Sequence, residues 1–331
     1  MESTPEEDFL SALPRHRNPH FDDNLVVWQD EYSGRYAPPP REYAEQFELQ
    51  WSLALQRTPG FEANPGANTG EEYIKDRVYA WTGNRPGSNN AFFDESAGVR
   101  ALAKPIPVAL IKGKKCIDLA CGMGRWTRAM QMIGAESVVS VDLSQSALDN
   151  VSRFNKAVIR ADLMTLPDEH PELVDRFDFT NLWGIVMCTH DPCKAFLNAA
   201  ATVKRGGALF LMVYAPEGIH NTALVHLQRK HFRTLKSVED RLAYAKHVAS
   251  RAWDPAYSLA DNLRNTAVRC YHRLQGKKLD WLGSLDMLSP YYNWVIPLDV
   301  IDGWSQKAGF RSYEVLNKRQ NRVAYHVLFR K

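Results

Sequence analysis

The sequence predicts an α/β protein built on a doubly wound, mostly parallel sheet. Between about residues 113 and 214, short apolar strands alternate with helical stretches of ten or more residues, which is the pattern of consecutive βαβ units. Three of these strands carry an aspartate at or just beyond their carboxyl end, and the first strand runs through a loop of small residues directly into a helix. Both features are typical of the ligand-binding edge of such a sheet.

Composition sets the broad class. Of the 331 residues, 45% are hydrophobic and 24% are charged, which excludes a disordered, collagen-like or disulfide-dense chain and allows a large core. No apolar run reaches the roughly 20 residues that cross a bilayer, and the acidic N-terminus lacks the apolar core of a signal peptide. Five cysteines without a CxxC pair predict neither a disulfide framework nor a zinc site. We therefore expect a cytoplasmic protein without a metal.

The N-terminal third predicts an arm followed by helices. Residues 1–40 lack sustained periodicity and contain the run Ala37-Pro38-Pro39-Pro40, which indicates an arm rather than a domain. Apolar residues then recur at helical spacing from Arg41 to about Gln56, where Pro59-Gly60 follows. A second helix is expected from Gly70 to about Trp81.

The core elements follow from apolar runs and their boundaries. The predicted strands are Lys115–Leu119, Ser137–Val141, Ala157–Arg160, Phe177–Trp183 and Ala208–Tyr214. Helices are expected after Gly122, Ser146 and Pro192. The alternation then stops, and mostly helical sequence precedes a helix at Leu298–Ala308 and strands near Ser312–Leu316 and Arg322–Phe329.

These elements divide the chain into four parts. We expect an N-terminal arm with a helical extension at 1–111, a core at 112–216, a helical cap insertion at 217–285, and a C-terminal completion of the core sheet at 286–331. Charge is uneven along these parts, since residues 1–50 carry a net −7 and residues 221–280 a net +7. Two interpretations of the basic segment stay open: solvated helix faces, or a surface that meets an anionic substrate, nucleic acid or the acidic arm. The first interpretation places these residues in solvent: Arg229, Lys230, Arg233, Lys236, Arg241 and Lys246.

The most informative stretch is Cys116-Ile117-Asp118-Leu119-Ala120-Cys121-Gly122-Met123-Gly124-Arg125-Trp126. Small residues here let a ligand approach backbone N–H groups, and the following helix offers further donors. Asp142 ends the next strand and is placed to accept ribose hydroxyls, while Asp162 after the third strand is placed to meet an adenine amino group. A dinucleotide is disfavoured, because Thr127 stands where the pyrophosphate fingerprint requires a third glycine.

These residues resemble the class I S-adenosylmethionine-dependent methyltransferases. The resemblance covers about residues 112–216 through IDLACGMGRWT, VVSVDLS, ADLMTLP, FDFTNLWGIV, THDPCKAF and KRGGALFLMVY. A narrower subgroup is suggested by an N-terminal FxxQW element at Phe47, Gln50 and Trp51, and by a late segment with these residues: Asp286, Pro290, Tyr292, Trp304, Gly309 and Phe310. The resemblance implies a Rossmann-like sheet of seven strands with the last strand antiparallel.

The resemblance also implies a cofactor site for S-adenosyl-L-methionine, with S-adenosyl-L-homocysteine as product. Asp118 would orient the loop and the methionine amino group. The residues implied to bind the cofactor are Asp118, Ala120, Cys121, Gly122, Gly124, Asp142, Leu143, Asp162, Leu163, Trp183 and Gly184. One departure concerns the acceptor side, because Met187 and Cys188 replace the paired histidines of the subgroup, and His190 stands at the position of its proline.

Methyl transfer needs alignment and exclusion of water, and a base only where the nucleophile carries a proton. The acceptor-side candidates are His190, Tyr214, His220, Asp286, Tyr291 and Tyr292. Of these, His190, Tyr214, Asp286 and Tyr292 are the predicted catalytic residues, although a packing or surface role is open for each. A lone histidine is more often a loop or surface residue than a base.

We expect methylation of an O, N or C atom of a small-molecule substrate, such as a specialised metabolite in a biosynthetic route. The basic cap suggests that this substrate carries an anionic group. Alternatives are RNA or protein methylation, and a protein that binds S-adenosylmethionine without methylating or without catalysis. Nucleic acid and membrane are not the expected partners, and a homodimer is left open.

Overall fold

The computed structural model describes residues 15–17, 26–28, 42–55, 70–84, 86, 102–218, 223–250, 253–274, 281–290, 292–317 and 324–331. The strands are β1 (Arg15–Arg17), β2 (Val26–Trp28), β3 (Lys115–Leu119), β4 (Ser137–Asp142), β5 (Val158–Arg160), β6 (Phe177–Trp183), β7 (Val203–Tyr214), β8 (Trp294–Val295), β9 (Ser312–Val315) and β10 (Ala324–Arg330). Each predicted core strand is present, with bounds shifted by a few residues at most except that β7 begins earlier.

Helices flank the sheet and build the cap. They are α1 (Glu42–Leu55), α2 (Glu71–Thr82), α3 (Arg125–Ile133), α4 (Gln145–Val151), α5 (Leu166–Glu169), α6 (Pro192–Ala201), α7 (Ala223–Thr234), α8 (Val238–Ala249), α9 (Leu259–Leu274), α10 (Trp281–Leu288) and α11 (Leu298–Lys307). Helices α7 to α10 follow β7, the fifth strand of the core, which is where the sequence predicts the cap. Among the described residues, no helix has the length and hydropathy that crossing a membrane requires.

The central sheet has seven strands in the order β5-β4-β3-β6-β7-β10-β9. Strands β3 to β7 are parallel, whereas β10 runs antiparallel to both β7 and β9. The order reverses at β3, because β4 and β5 lie on one side of it and β6 and β7 on the other. The ends of β3 and β6 therefore lie at the switch point where ligands bind in such sheets. The predicted fold class, with its antiparallel last strand, is confirmed.

The two faces of the sheet are both covered. One face packs mainly against α6 and α11 through Phe196, Trp304 and Phe329. The other packs against α2 and α3, where Trp81 stacks on Trp126 with ring centroids 4.2 Å apart. Burial on both faces explains why the central strands are continuous apolar runs rather than alternating ones.

The sequence analysis did not anticipate the small second sheet. It has the order β1-β2-β8, and Val26 and Val27 pair antiparallel with Val295 and Trp294. Strands of two or three residues leave no periodic signal, so this part of the predicted arm lacked a detectable pattern. The pairing ties residues before the core to the segment that follows the cap.

One charged side chain contradicts the solvated interpretation of the cap helices. Arg229 is only 3% exposed, and its guanidinium donates to the carbonyl oxygens of Met287 and Pro290 at the end of α10. Lys230, Lys236 and Lys246 are exposed, as that interpretation expects. Arg229 is buried because it satisfies carbonyl groups that the end of a helix leaves without intrahelical partners.

Replacement of two glycines by alanine should change the stability of the protein in opposite directions. Gly124 has φ +82°, and an added Cβ would lie 2.8 Å from Cγ2 of buried Val151 and 2.6 Å from Cζ of Phe154. Gly303, inside α11, has no heavy atom within 4 Å of an added Cβ. We expect Gly124→Ala to lower the free energy of unfolding by about 2 kcal/mol or more, and Gly303→Ala to raise it by about 0.5–1 kcal/mol. Urea denaturation measures both, and equal effects would contradict the described loop.

Candidate cofactor and acceptor site

A cavity of about 650 Å³ opens at the carboxyl ends of the central strands. Its floor is the loop between β3 and α3, together with the segments that follow β4, β5 and β6. Its roof comes from α1 through Phe47, Gln50 and Trp51, and from α10 through residues 281–283 and Asp286. The volume lies within the roughly 300–1,000 Å³ of small-molecule and cofactor sites.

The loop under the cavity is held in a tight left-handed path. Ala120 and Gly122 have φ of +54° and +50°, a region that costs a non-glycine residue about 1 kcal/mol or more. An added Cβ at Gly122 would lie 2.9 Å from the indole of Trp51. Glycine is therefore required here because α1 packs directly on the loop.

Asp118 lies beneath this loop and not on the cavity wall. Its Oδ2 accepts from the Thr127 hydroxyl at 2.7 Å, and its Oδ1 accepts from Nδ2 of Asn181 at 2.6 Å. Burial raises the pKa of its carboxyl, and these hydrogen bonds oppose the rise. The structure thus places Asp118 where it holds α3 and β6 to the end of β3.

Asp142 faces the cavity at the end of β4. Its oxygens accept from the backbone N–H groups of Gly122 and Ser144 at 2.8 and 2.9 Å. Burial raises the pKa of Asp142 to about 6, despite these hydrogen bonds. Each carboxylate oxygen can accept more than one hydrogen bond, so the group is able to receive ligand hydroxyls while it braces the loop.

The structure brings most of the predicted cofactor residues to one wall. The cavity is lined by Ala120, Cys121, Gly122, Asp142, Leu143, Asp162, Leu163, Trp183 and Gly184. Gly124 does not line it, since it caps α3 and packs against Phe154 and Val151. The pKa of the Cys121 thiol is raised well above its ordinary value by burial, so this thiol stays protonated and acts as an apolar wall.

The predicted catalytic residues separate into two places. Tyr214 and Asp286 line the cavity. Tyr292 is 1% exposed in the core, with its ring centroid 6.4 Å from that of His190, and neither residue lines the cavity. His220 and Tyr291 lie outside the described residues. Their roles stay predictions, and the geometry favours the first pair as groups that meet an acceptor.

At the Tyr214 end of the cavity, burial raises the pKa values of the side chains. Burial raises the pKa of Tyr214 well above its ordinary value, with further contributions from Cys188 and Asp286. Burial raises the pKa of the Cys188 thiol to about 12. At neutral pH both groups therefore keep their protons, and Tyr214 is a hydrogen-bond donor rather than a phenolate base.

Helix α1 joins the core loops to the cap. Nε2 of Gln50 donates to Oδ1 of Asp286 at 2.8 Å, so the two parts of the subgroup resemblance meet in space. Glu48 accepts from the Ser144 hydroxyl at 2.7 Å and from the Ser146 backbone N–H at 3.2 Å. An acid at the start of α4 is favoured by the helix dipole. The cavity roof is thus fixed at both ends.

Sequence reasoning missed three side chains at this site. Glu48 carried no signal, because an acid on a solvated helix is ordinary. Tyr73 likewise follows no pattern, although it lines the cavity from α2. Arg125 could have been identified from the sequence, because a cation at the first position of a helix is unfavourable next to the positive end of the helix dipole.

These residues fit an adenosyl-bearing cofactor. The wall offers a carboxylate at Asp142, a loop whose left-handed backbone admits close approach, and the indoles of Trp126 and Trp183, whose centroids are 4.4 Å apart. Aromatic rings of this kind favour a neighbouring cationic group. Among the described residues, no cluster of side chains could hold a metal ion.

Comparison with known proteins assigns the family. Residues 96–312 match the model of a methyltransferase domain family, and the chain belongs to it. The match confirms a class I methyltransferase that uses S-adenosylmethionine as its cofactor.

Curated relatives match part of the chain. The tRNA U34 carboxymethyltransferase of Pseudomonas aeruginosa is 30% identical over 122 residues, or 36% of this chain and 38% of that protein. The enzyme of the same name from Stutzerimonas stutzeri is 28% identical over 182 residues, or 52% and 57%. The chain thus spans between about two fifths and three fifths of the length of these relatives.

Solved structures are similar at low identity. The 1,6-didemethyltoxoflavin-N1-methyltransferase of Burkholderia thailandensis, solved with 1,6-didemethyltoxoflavin and S-adenosylhomocysteine, is 12% identical, with 96% of this chain and 98% of that chain covered and a TM-score of 0.44. A methyltransferase of Archaeoglobus fulgidus is 12% identical, with 68% and 89% covered and a TM-score of 0.40. These scores carry no argument about substrate.

The raised pKa of Asp142 predicts a pH dependence of stability. Between its ordinary value of 3.8 and about 6, the folded protein holds a proton that the unfolded chain has lost. Raising the pH through this window removes that proton from a buried site, so the free energy of unfolding falls by up to about 3 kcal/mol. Asp142→Asn lacks this proton. Urea titrations at pH 4.5 and 7 should show a smaller fall for Asp142→Asn than for the wild type, and equal falls would contradict the assignment.

Proposed function

We propose that this methyltransferase transfers a methyl group to an O, N or C atom of a small molecule by in-line displacement. The observation that supports a small acceptor is the cavity of about 650 Å³, which core loops bound below and α1 and α10 bound above. A roof of this kind also limits the access of water to the reacting groups.

The cofactor side is assigned to residues of the lower wall. We place the ribose hydroxyls on Asp142 and the adenine between Leu143, Asp162 and Leu163. The loop through Gly122 would carry the methionine end, with Trp183 beside it. S-adenosylmethionine supplies a methyl group on a sulfonium, and the neutral thioether that leaves needs no protonation. The protein therefore contributes alignment and a dry cavity.

The acceptor side is assigned to Tyr214 and Asp286. Tyr214 keeps its proton at neutral pH and would donate a hydrogen bond that orients the acceptor. Asp286 is the carboxylate of the cavity roof, held by Gln50, and would receive the proton of an O–H or N–H nucleophile. His190 and Tyr292 would support the wall from behind, because they lie outside the lining.

The sequence suggested that the basic cap meets an anionic group of the substrate, but the described cap residues do not support this interpretation. Arg229 is committed to carbonyl groups, and no basic residue of the described cap lines the cavity. Within the described part of the wall, Arg125 is the only cation. An anionic group would therefore meet α3 rather than the cap.

A second candidate is modification of tRNA. The partial similarity to tRNA U34 carboxymethyltransferases supports it, as do the exposed Lys230, Lys236 and Lys246. Binding through such lysines weakens steeply with salt, by roughly 10³-fold or more between 50 and 200 mM for six or more phosphate contacts. Filter binding of bulk tRNA should show no such dependence if the acceptor is small. A steep dependence that is reduced in the triple Lys→Gln variant would instead support tRNA.

Calorimetric titration tests the cofactor assignment. The wild type should bind S-adenosylmethionine and S-adenosylhomocysteine at micromolar concentration. Asp142→Ala should weaken binding by more than about 10-fold, because it removes a charged acceptor of ribose hydroxyls. Asp149→Ala is the matched control, since Asp149 is exposed on the adjacent α4. Equal affinities for all three proteins would contradict the assignment, and no binding by the wild type would contradict the proposed function.

A further inference from the structure

Helix α9 carries its apolar residues on the outer face of the cap. Leu259, Leu263, Ala267 and Cys270 recur at intervals of three and four residues, so they share one face of the helix. All four are exposed, and Leu259 and Leu263 keep 63% and 56% of their surface in solvent. This face is termed the outer stripe. A surface helix normally turns its apolar face to the core, so α9 has the opposite arrangement.

The inner face of α9 is polar instead. Asn262 is 1% exposed, and its Nδ2 donates to the carbonyl oxygen of Asp254 at 2.8 Å. Oδ1 of buried Asn265 accepts from Nε2 of Gln228 on α7 at 2.6 Å. Of the described side chains of α9, Val268 alone joins the buried apolar cluster of the cap. Hydrogen bonds rather than apolar burial therefore fix this helix, and its leucines are left for another surface.

The apolar surface continues into the loop before α9. Trp253 is 57% exposed, and Ala256 is exposed as well. Among the large apolar side chains of the described chain, Trp253, Leu259 and Leu263 are the three most exposed. Single exposed apolar residues are ordinary, whereas several gathered in one short segment mark an interaction surface. Tryptophan in particular is enriched among the residues that dominate protein interfaces.

Charges of opposite sign border the two ends of the outer stripe. Exposed Asp240 and half-buried Asp254 lie near the beginning of α9, where both raise the pKa of Tyr257 after the larger effect of burial. Half-buried Arg269 and exposed Arg273 lie in the last turns of the helix. Among the described residues, no ion pair engages any of these four charged side chains. The border is therefore acidic at one end and basic at the other.

This arrangement is complementary to a second copy of itself. If two α9 helices lie antiparallel about a twofold axis at the middle of the outer stripe, the acidic end of each meets the basic end of the other. The leucines then form an apolar centre with charged groups at its rim, as protein interfaces do. A nucleic acid or an anionic membrane would be repelled by the acidic end. Arg264, midway along α9, is paired with Asp261 and adds no net charge.

We propose that the outer stripe of α9, together with Trp253, is the contact surface of a homodimer in which the two helices lie antiparallel. A helix of 16 residues is about 24 Å long and about 10 Å wide, which is less than the roughly 800 Å² that each partner contributes to a standard interface. We therefore expect a reversible dimer. The buried cluster that includes Val268 also includes Leu285 and Met287 of α10, so pairing braces the helix that roofs the cavity.

Sedimentation velocity of the full chain tests the pairing. The wild type should pass from monomer to dimer between about 1 and about 200 μM, because dimerisation follows mass action. Leu263→Glu places a charge in the apolar centre and should raise the dissociation constant at least 10-fold. Val174→Glu is the matched control, since Val174 is also exposed, at 38%, but precedes β6 at the amino ends of the parallel strands. Circular dichroism and thermal melting establish that each variant is folded.

Charge reversal tests the antiparallel orientation. Arg273→Glu should weaken the dimer several-fold, because it brings an acid to the acidic end of the partner. Adding Asp240→Lys should recover part of the lost affinity, because it returns an opposite charge to that end. Adding Asp149→Lys is the control for this step, since Asp149 is exposed on α4, outside the cap, and should recover none.

The proposal is supported if the wild type and Val174→Glu form a dimer of equal affinity, Leu263→Glu does not, and only Asp240→Lys recovers the loss in Arg273→Glu. It is overturned if the wild type stays monomeric over the whole range, or if Leu263→Glu or Arg273→Glu keeps the wild-type dissociation constant. A monomer that sediments with vesicles of phosphatidylcholine and phosphatidylglycerol in equal parts, and loses this binding in Leu263→Glu, also overturns it and assigns the outer stripe to a membrane surface.

Discussion

The buried carboxylate of Asp118 is the constraint on which the site depends. A carboxylate removed from water must be satisfied by donors, and here Thr127 on α3 and Asn181 on β6 supply them. Thr127 also hydrogen-bonds Ser140 on β4, which is held in turn by Asn155. One network therefore joins three neighbouring strands and the helix after the loop. Because these hydrogen bonds hold the segments on both sides of the loop, its backbone path does not depend on a ligand.

A second layer of contacts builds a roof over this loop and so forms the cavity. Trp51 packs on Gly122, Glu48 binds the start of α4, and Gln50 binds Asp286 of the cap. All three residues lie within one turn of α1, so a single helix connects the core with the cap. Movement of α1 would loosen the loop and the acceptor wall together. The cavity roof and the proposed cofactor site are thus held by the same helix, which suits a reaction that depends on alignment.

Sequence reasoning succeeded where the physical signal is local. Buried parallel strands are apolar runs, and the path through Ala120 and Gly122 requires small residues, so the sheet and its loop could be predicted. It failed where a role depends on distant partners. Arg229 belongs to a basic run, yet α10 turns it inward by offering carbonyl groups. Tyr292 is buried in the core and does not line the cavity, a placement that its position in the sequence does not indicate, and its catalytic role stays a prediction.

Hydrogen exchange followed by mass spectrometry, with and without S-adenosylhomocysteine, tests the central claim most directly. If α1, the loop and the cap close over one cofactor cavity, the ligand should slow exchange together in residues 44–52, 119–125, 142–147 and 281–288. Exchange in α6 and α11, on the opposite face of the sheet, should be unchanged. Protection confined to regions outside these four segments, or bound ligand without any protection of residues 119–125, would contradict the account.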